Sequence, residues 1–201
     1  MLRVGLTGGL ATGKSFVGAI LHSLGCHLLK ADELGHDVLL PGGEAYQAVV
    51  DAFGREILDD EGVIVRRKLA AEVFENPERL AFLNSLVHPP VVAKEEAWMA
   101  NLQRVEPDAI AVVEAAILVE TGSYKRFSRL IVTVCSPEQQ VERAMKRDRI
   151  SREEVEARLR RQMPLEEKVR VADYVVDTSG DKKETARQVQ EVYLALRSER
   201  Q

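Results

Sequence analysis

The sequence is short of cysteine, of long apolar runs and of surplus positive charge, and each shortage argues against a class of protein. Its two cysteines, Cys26 and Cys135, sit in apolar, strand-like runs with no CxxC spacing. That argues against a disulfide framework or a zinc site and for reduced, buried thiols. No window approaches the roughly 20 consecutive apolar residues of a membrane helix. Met1 leads directly into a short strand-like run, without the basic and apolar regions of a secretory leader. The expectation is a cytoplasmic protein that does not engage a membrane. A net charge of −4 argues against a nucleic-acid surface spread over the molecule. Repeats and low-complexity segments are absent, and nothing in the sequence calls for an obligate protein partner.

What is present begins with alternating strand and helix signals. Leu2 to Leu6 is a short apolar run closing in a glycine-rich turn, which predicts a buried strand. From Lys14, residues Val17, Ile20, Leu21 and Leu24 fall on one helical face, and Gly25 stands where a left-handed cap belongs. Cys26 to Leu29 predicts a second strand, and strand, helix, strand in so few residues makes a βαβ unit with a parallel sheet. Further strands are expected at Ala109 to Val113, Leu130 to Val134 and Tyr174 to Val176. A closing helix from Thr185 to Arg197 should pack Ala186, Val189, Tyr193 and Leu196 on the sheet.

Two segments interrupt this alternation. Residues 33–106 read as helical, with Leu69, Val73, Leu80, Leu83 and Leu86 as core candidates. Pro41-Gly42-Gly43 and His88-Pro89-Pro90 are the expected breaks. The second interruption, Pro137 to Pro164, reads as two helices meeting near Ile150-Ser151, where Ser151 and Glu154 make a capping box. Its core from Arg143 to Arg161 holds eight basic residues against four acidic ones. Such a run is a solvated face laced with ion pairs unless its context gives it a task.

The context is supplied by Gly8-Gly9-Leu10-Ala11-Thr12-Gly13-Lys14-Ser15, a full match to G-x-x-x-x-G-K-[ST] lying between a strand and a helix. Its glycines let backbone N–H groups turn inward around phosphate oxygens, and the helix adds the positive end of its dipole. Lys14 should reach the β- and γ-phosphates of ATP and Ser15 should ligate Mg²⁺, with residues 8 to 16, through Phe16, forming the nucleotide cradle. The Asn-Lys-x-Asp element of guanine-specific proteins is missing: the corresponding stretch is Thr178-Ser179-Gly180-Asp181-Lys182. A small kinase fits the length.

Such a kinase needs a carboxylate beside the attacking hydroxyl and arginines to neutralise the transferring group. Asp32, at the carboxyl end of the second strand, either orients the acceptor and takes its proton late in the reaction or caps a helix; the roles are compatible. Arg143 and Arg147 share a helix face and can close over ATP, and Arg158 can join from the next helix. Two other readings stay open: a kinase for a nucleoside monophosphate or metabolite hydroxyl, and a non-catalytic ATP-binding regulator.

Taken together, the chain resembles the dephospho-CoA kinase family along nearly its whole length. The resemblance is carried by GLTGGLATGKS at 5–15, Asp32, Asp60-Glu61-Gly62, Arg66 with Leu69 and Phe74, His88-Pro89, and VVEAAILVE at 112–120 ending in Glu120. Ser136-Pro137-Glu138, Arg143 with Arg147-Asp148, Arg158 with Gln162, and Ala172-Asp173-Tyr174 continue it. It implies an α/β fold of three layers around a five-stranded parallel sheet. The nucleotide-binding core would comprise 1–32, 107–137 and 165–201. A helical domain at 33–106 would receive dephospho-CoA, and 138–164 would form a short lid. Asp32, Lys14, Arg143 and Arg147 would then be catalytic, with Arg66, His88 and Glu120 on the acceptor. Departures from the family pattern are Ala11 in place of Gly, Phe16 in place of Thr, Lys30 in place of an acid, Ala116 in place of Pro and Thr178 in place of Asn. No aspartate ends the 109–113 strand, so either Glu114 or Glu120 is left to assist Mg²⁺.

Overall fold

The computed structural model describes residues 1–73 and 76–199. Phe74, named above, lies outside them. Five strands, β1 (Leu2–Gly8), β2 (His27–Lys30), β3 (Ile110–Glu114), β4 (Arg129–Val134) and β5 (Tyr174–Asp177), form one sheet in the order β2-β3-β1-β4-β5. Every pairing is parallel, from Leu2 opposite Ile110 to Val134 opposite Asp177. This is the expected α/β fold. Each strand signal read from the sequence is a strand, shifted by one or two residues at some ends; β2, for instance, starts at His27 because Cys26 N–H still donates to the Leu21 carbonyl of the preceding helix.

The sheet belongs to a compact unit of residues 1–30 and 101–201. One face carries Val4, Leu6, Ile110, Val112, Ile131 and Val176. Against it pack Val17 and Leu21 of α1 (Lys14–Ser23) and Val189, Val192 and Leu196 of α9 (Lys182–Ser198). β3 is buried along its whole length, as a central parallel strand must be, so it reads as an unbroken apolar run. Gly25 has φ 100°, the left-handed geometry expected beyond α1. α9 differs in its facing. Thr185, Val189, Val192 and Leu196 are the buried positions, whereas Ala186 and Tyr193 lie half-buried beside them. The helix starts three residues earlier than expected, capped by Asp181, whose carboxylate accepts from Lys183 and Glu184 N–H.

The basic stretch forms α6 (Pro137–Asp148) and α7 (Arg152–Arg160), followed by the short α8 (Leu165–Val169). Ser151 and Glu154 form the expected capping box, and a second, Ser136 with Gln139, opens α6.

The other unit runs from Ala31 to Ala100. It contains α2 (Ala31–Asp37), α3 (Tyr46–Phe53), α4 (Arg66–Val73) and most of α5 (Pro77–Val105). Its core gathers Val38, Val49, Phe53, Ile57, Ile64, Leu69 and Val73, with Leu83, Leu86, Val87 and Val91 against it. Two expectations are corrected. His88-Pro89-Pro90 does not end a helix: α5 runs through both prolines. Each proline forfeits a backbone bond, at about 3 kcal/mol in a helix interior. Leu83, Leu86 and Val87 before the pair and Val91 after it lie against the same core, and this shared burial holds the helix continuous. Leu80 is 44% exposed and is not a core residue, because the face toward the core is that of Leu83 and Leu86. Among the described residues, no helix is long and apolar enough to cross a membrane.

Candidate active site

The phosphate loop leaves β1, the middle strand, at the carboxyl edge of the sheet, where ligands of open α/β sheets bind. Gly13 caps α1 with φ 83°, so the amino end of the helix opens onto the loop. Gly8 has no room for a side chain: a Cβ there would lie 2.3 Å from Thr133 Oγ1 and 2.5 Å from Thr12 Oγ1. Those hydroxyls form a buried chain, with Thr133 and Thr12 2.7 Å apart and Thr12 donating to the Gly9 carbonyl at 2.9 Å. Ala11 adopts φ 56°, the left-handed region that costs an L-residue about 1–2 kcal/mol. A glycine would adopt this conformation without that cost.

Lys14 lies over the loop, its ammonium 3.4 Å from the Gly9 carbonyl. The Ser15 hydroxyl donates to Glu114 Oε1 at 2.6 Å. Glu114 ends β3, is 5% exposed, and its Oε2 is buried without a hydrogen-bond partner. Glu120 is engaged elsewhere, in a 2.6 Å ion pair with Lys168. Of the two glutamates weighed for Mg²⁺, Glu114 is therefore the one beside Ser15. Phe16 is 36% exposed, and the Lys182 ammonium stands 5.8 Å above its ring.

Arg143 and Arg147, four residues apart on α6, do different things. Arg143 donates to Thr178 Oγ1 at 2.9 Å and to the Thr178 carbonyl at 2.7 Å. The Thr178 hydroxyl lies 3.0 Å from the Thr12 carbonyl, so Arg143 braces the far side of the phosphate loop through the β5–α9 turn. Arg147 instead grips Asp148 through two bonds, at 2.7 and 3.0 Å, and Arg158 reaches the same carboxylate at 3.2 Å. The Arg147 hydrogen bond holds the Asp148 carboxyl below its ordinary pKa, which keeps it a carboxylate. Both arginines are largely exposed, where an ion pair contributes little stability and is readily exchanged for a better anion.

In the Ala31–Ala100 unit, Asp32 lies inside the first turn of α2 rather than capping it. It is exposed and makes no side-chain hydrogen bond or ion pair among the described residues. Arg66 is exposed at the start of α4. His88 is half-buried in α5, and that burial lowers its pKa, keeping the ring neutral at neutral pH.

Sequence reasoning overlooked three contributors. Lys168 is fully buried, yet its neighbours Glu166 and Glu167 make the segment read as surface. Its ammonium donates to the Ala116 carbonyl at 3.0 Å and the Gly8 carbonyl at 3.3 Å while pairing with Glu120. Gln140 and Gln162 both bond the backbone of Leu10. Gln162 figured in the family pattern without a role, and Gln140 carried no signal beyond its place on the buried face of α6.

Comparison with known proteins bears directly on this geometry. A family model described as dephospho-CoA kinase matches residues 2–184. The chain is similar to dephospho-CoA kinase of Aquifex aeolicus, 44% identical over 196 residues that cover 98% of each chain. Among solved structures, one from Thermus thermophilus is 34% identical, with a TM-score of 0.82 over 96% of each chain. Dephospho-CoA kinase from Campylobacter jejuni is 27% identical, with a TM-score of 0.73 over 99% of this chain and 98% of that one.

Proposed function

The chain belongs to the dephospho-CoA kinase family, and from that premise we propose that its phosphate loop holds ATP while Asp32 activates the acceptor hydroxyl. The enzyme transfers a phosphoryl group from ATP to the ribose 3′-hydroxyl of dephospho-CoA, giving CoA and ADP in the last step of coenzyme A biosynthesis. Residues 1–32, 107–137 and 165–201 serve as the nucleotide-binding core, 33–106 as the acceptor domain and 138–164 as the lid. The reaction's dependence on ATP supports a cytoplasmic site of action.

The donor half rests most on the Ser15–Glu114 hydrogen bond beneath the loop. Backbone N–H groups of the loop within residues 8–16, other than that of Leu10, and the Lys14 ammonium hold the β- and γ-phosphates and stabilise the charge that builds on them. The Ser15 hydroxyl and the Glu114 carboxylate, with its unpartnered buried Oε2, suit a hard cation that prefers oxygen ligands. Mg²⁺ bound there supplies charge neutralisation on the phosphates.

The 3′-oxygen attacks the γ-phosphorus, the bond to the β-bridging oxygen breaks, and ADP departs. Asp32 accepts the hydroxyl proton as the P–O bond forms, a modest demand in a loose transition state. Its exposure and freedom from other bonds support this role. Arg147 and Arg158 exchange Asp148 for phosphate oxygens, and Arg143 holds the nucleotide side of the loop through Thr178. Arg66 and His88 hold the acceptor, whose phosphates an arginine suits and whose uncharged groups a neutral imidazole suits. Glu120 bears on the acceptor from the loop that Lys168 fixes.

The test is ADP release by the purified protein with Mg²⁺-ATP, with and without dephospho-CoA, and mass spectrometry of the product. CoA formed in step with ADP is the expected result. ADP release indifferent to dephospho-CoA, with no CoA formed, would contradict the acceptor.

A further inference from the structure

Leu10 stands at the tip of the phosphate loop, and side chains distant in sequence hold both of its backbone polar groups. Its N–H donates to Gln162 Oε1 at 2.8 Å, and its carbonyl accepts from Gln140 Nε2 at 2.9 Å. The chemistry fixes both amide orientations, since a backbone N–H only donates and a carbonyl only accepts. Gln140 lies on the buried face of α6, 7% exposed, and Gln162 follows α7 by two residues. Leu10 and Ala11 also pack against Val141, Ala144 and Val155, so the loop tip completes the small apolar core of α6 and α7. At Gly9 a Cβ would lie 2.5 Å from Gln140 Nε2, so a side chain there would push that amide off the Leu10 carbonyl.

A phosphate loop binds through backbone N–H groups, so the path of its tip decides how many of them converge on the ligand. We propose that Gln140 and Gln162 are positioning residues for ATP: by holding Leu10 from both sides they set the loop before the nucleotide arrives and tie it to the α6–α7 pair. The proposal deepens, and rests on, the reading of this loop as the ATP site. Leu10 N–H is committed to Gln162 while that bond lasts, so the loop's shape is maintained by the helices that also carry Arg143, Arg147 and Arg158.

The test uses the full chain and three readouts: calorimetric binding of Mg²⁺-ATP, amide exchange at Leu10 by NMR without nucleotide, and the melting temperature. Gln162 is half-buried, and Gln162→Leu removes the acceptor. Leu10 exchange should quicken about tenfold and the Kd for ATP should rise about tenfold, the worth of one hydrogen bond, with the melting temperature lowered by no more than a few degrees and the KM for the acceptor unchanged. Gln162→Glu keeps an acceptor oxygen and should keep Leu10 exchange at the parent rate, whatever its charge does to ATP. Should Gln162→Leu not fold, Gln162→Asn, too short to reach, takes its place with the same expectations. Gln140→Leu should also weaken ATP, and the double variant should weaken it by less than the product of the two, because both act through one residue. Unchanged Leu10 exchange in Gln162→Leu, equal losses for ATP and acceptor, or fully multiplicative effects would each overturn the proposal. ATP binding and Leu10 exchange require no acceptor, so they are read independently of whether dephospho-CoA is turned over.

Discussion

At the carboxyl edge of the sheet, Thr12, Thr133, Glu114, Gln140 and Lys168 are buried and each bonds the loop, its backbone or a neighbouring charged group. In the Ala31–Ala100 unit, by contrast, Asp32 and Arg66 are exposed, and the Asp32 carboxylate makes no bond among the described residues. The contrast follows what each has to hold. Aligning a triphosphate rewards a backbone fixed in advance, and buried polar groups persist only when satisfied. In the role proposed for Asp32, a carboxylate that meets a substrate hydroxyl is left free, since the substrate brings the missing partner. In the proposed mechanism the loop is set before binding, and the Asp32 carboxylate gains its partner from the substrate.

The sharpest way to break this comparison is to remove the cation of the preset half. Lys14→Ala should lower phosphoryl transfer by about 10³-fold or more while the melting temperature stays within a few degrees, as followed by product formation and thermal denaturation. Retained turnover would end the assignment of the loop. On the other side, Asp32→Asn should lower kcat by about 10²-fold, the usual worth of a positioned base. An unchanged kcat in steady-state assays would reduce Asp32 to a first-turn acid that complements the α2 dipole. The smallest effect is expected at Ala11→Gly. Relief of about 1 kcal/mol of backbone strain is offset by lost methyl packing on α6 and α7 and by the entropy of glycine. Urea denaturation should register a change below about 1 kcal/mol; a large loss would mean that the methyl holds the loop tip more firmly than Leu10 does.

How much of this was legible in the sequence tracks how local each cause is. The βαβ opening, the phosphate loop, the capping box at Ser151 and the five strand runs depend on neighbours a few residues away, and pattern reading finds them. Pro89-Pro90 misled because the packing that carries α5 through them comes from α3 and α4 rather than from the helix itself. Lys168, Gln140 and Gln162 bond residues far away in the chain, Gly8 and Leu10 among them, so nothing near them in sequence betrays their burial or their partners. The split between Arg143, turned to Thr178, and Arg147, turned to Asp148, was equally invisible, since their i,i+4 spacing describes one helix face but not what lies opposite it.

The most direct test of the division between a preset donor half and an acceptor half completed by substrate is calorimetric binding of Mg²⁺-ATP to Lys14→Ala and Asp32→Asn, side by side with the parent. The account predicts that Lys14→Ala loses affinity by about tenfold or more while Asp32→Asn binds ATP as the parent does. Equal weakening in both variants, or a loss confined to Asp32→Asn, would contradict it.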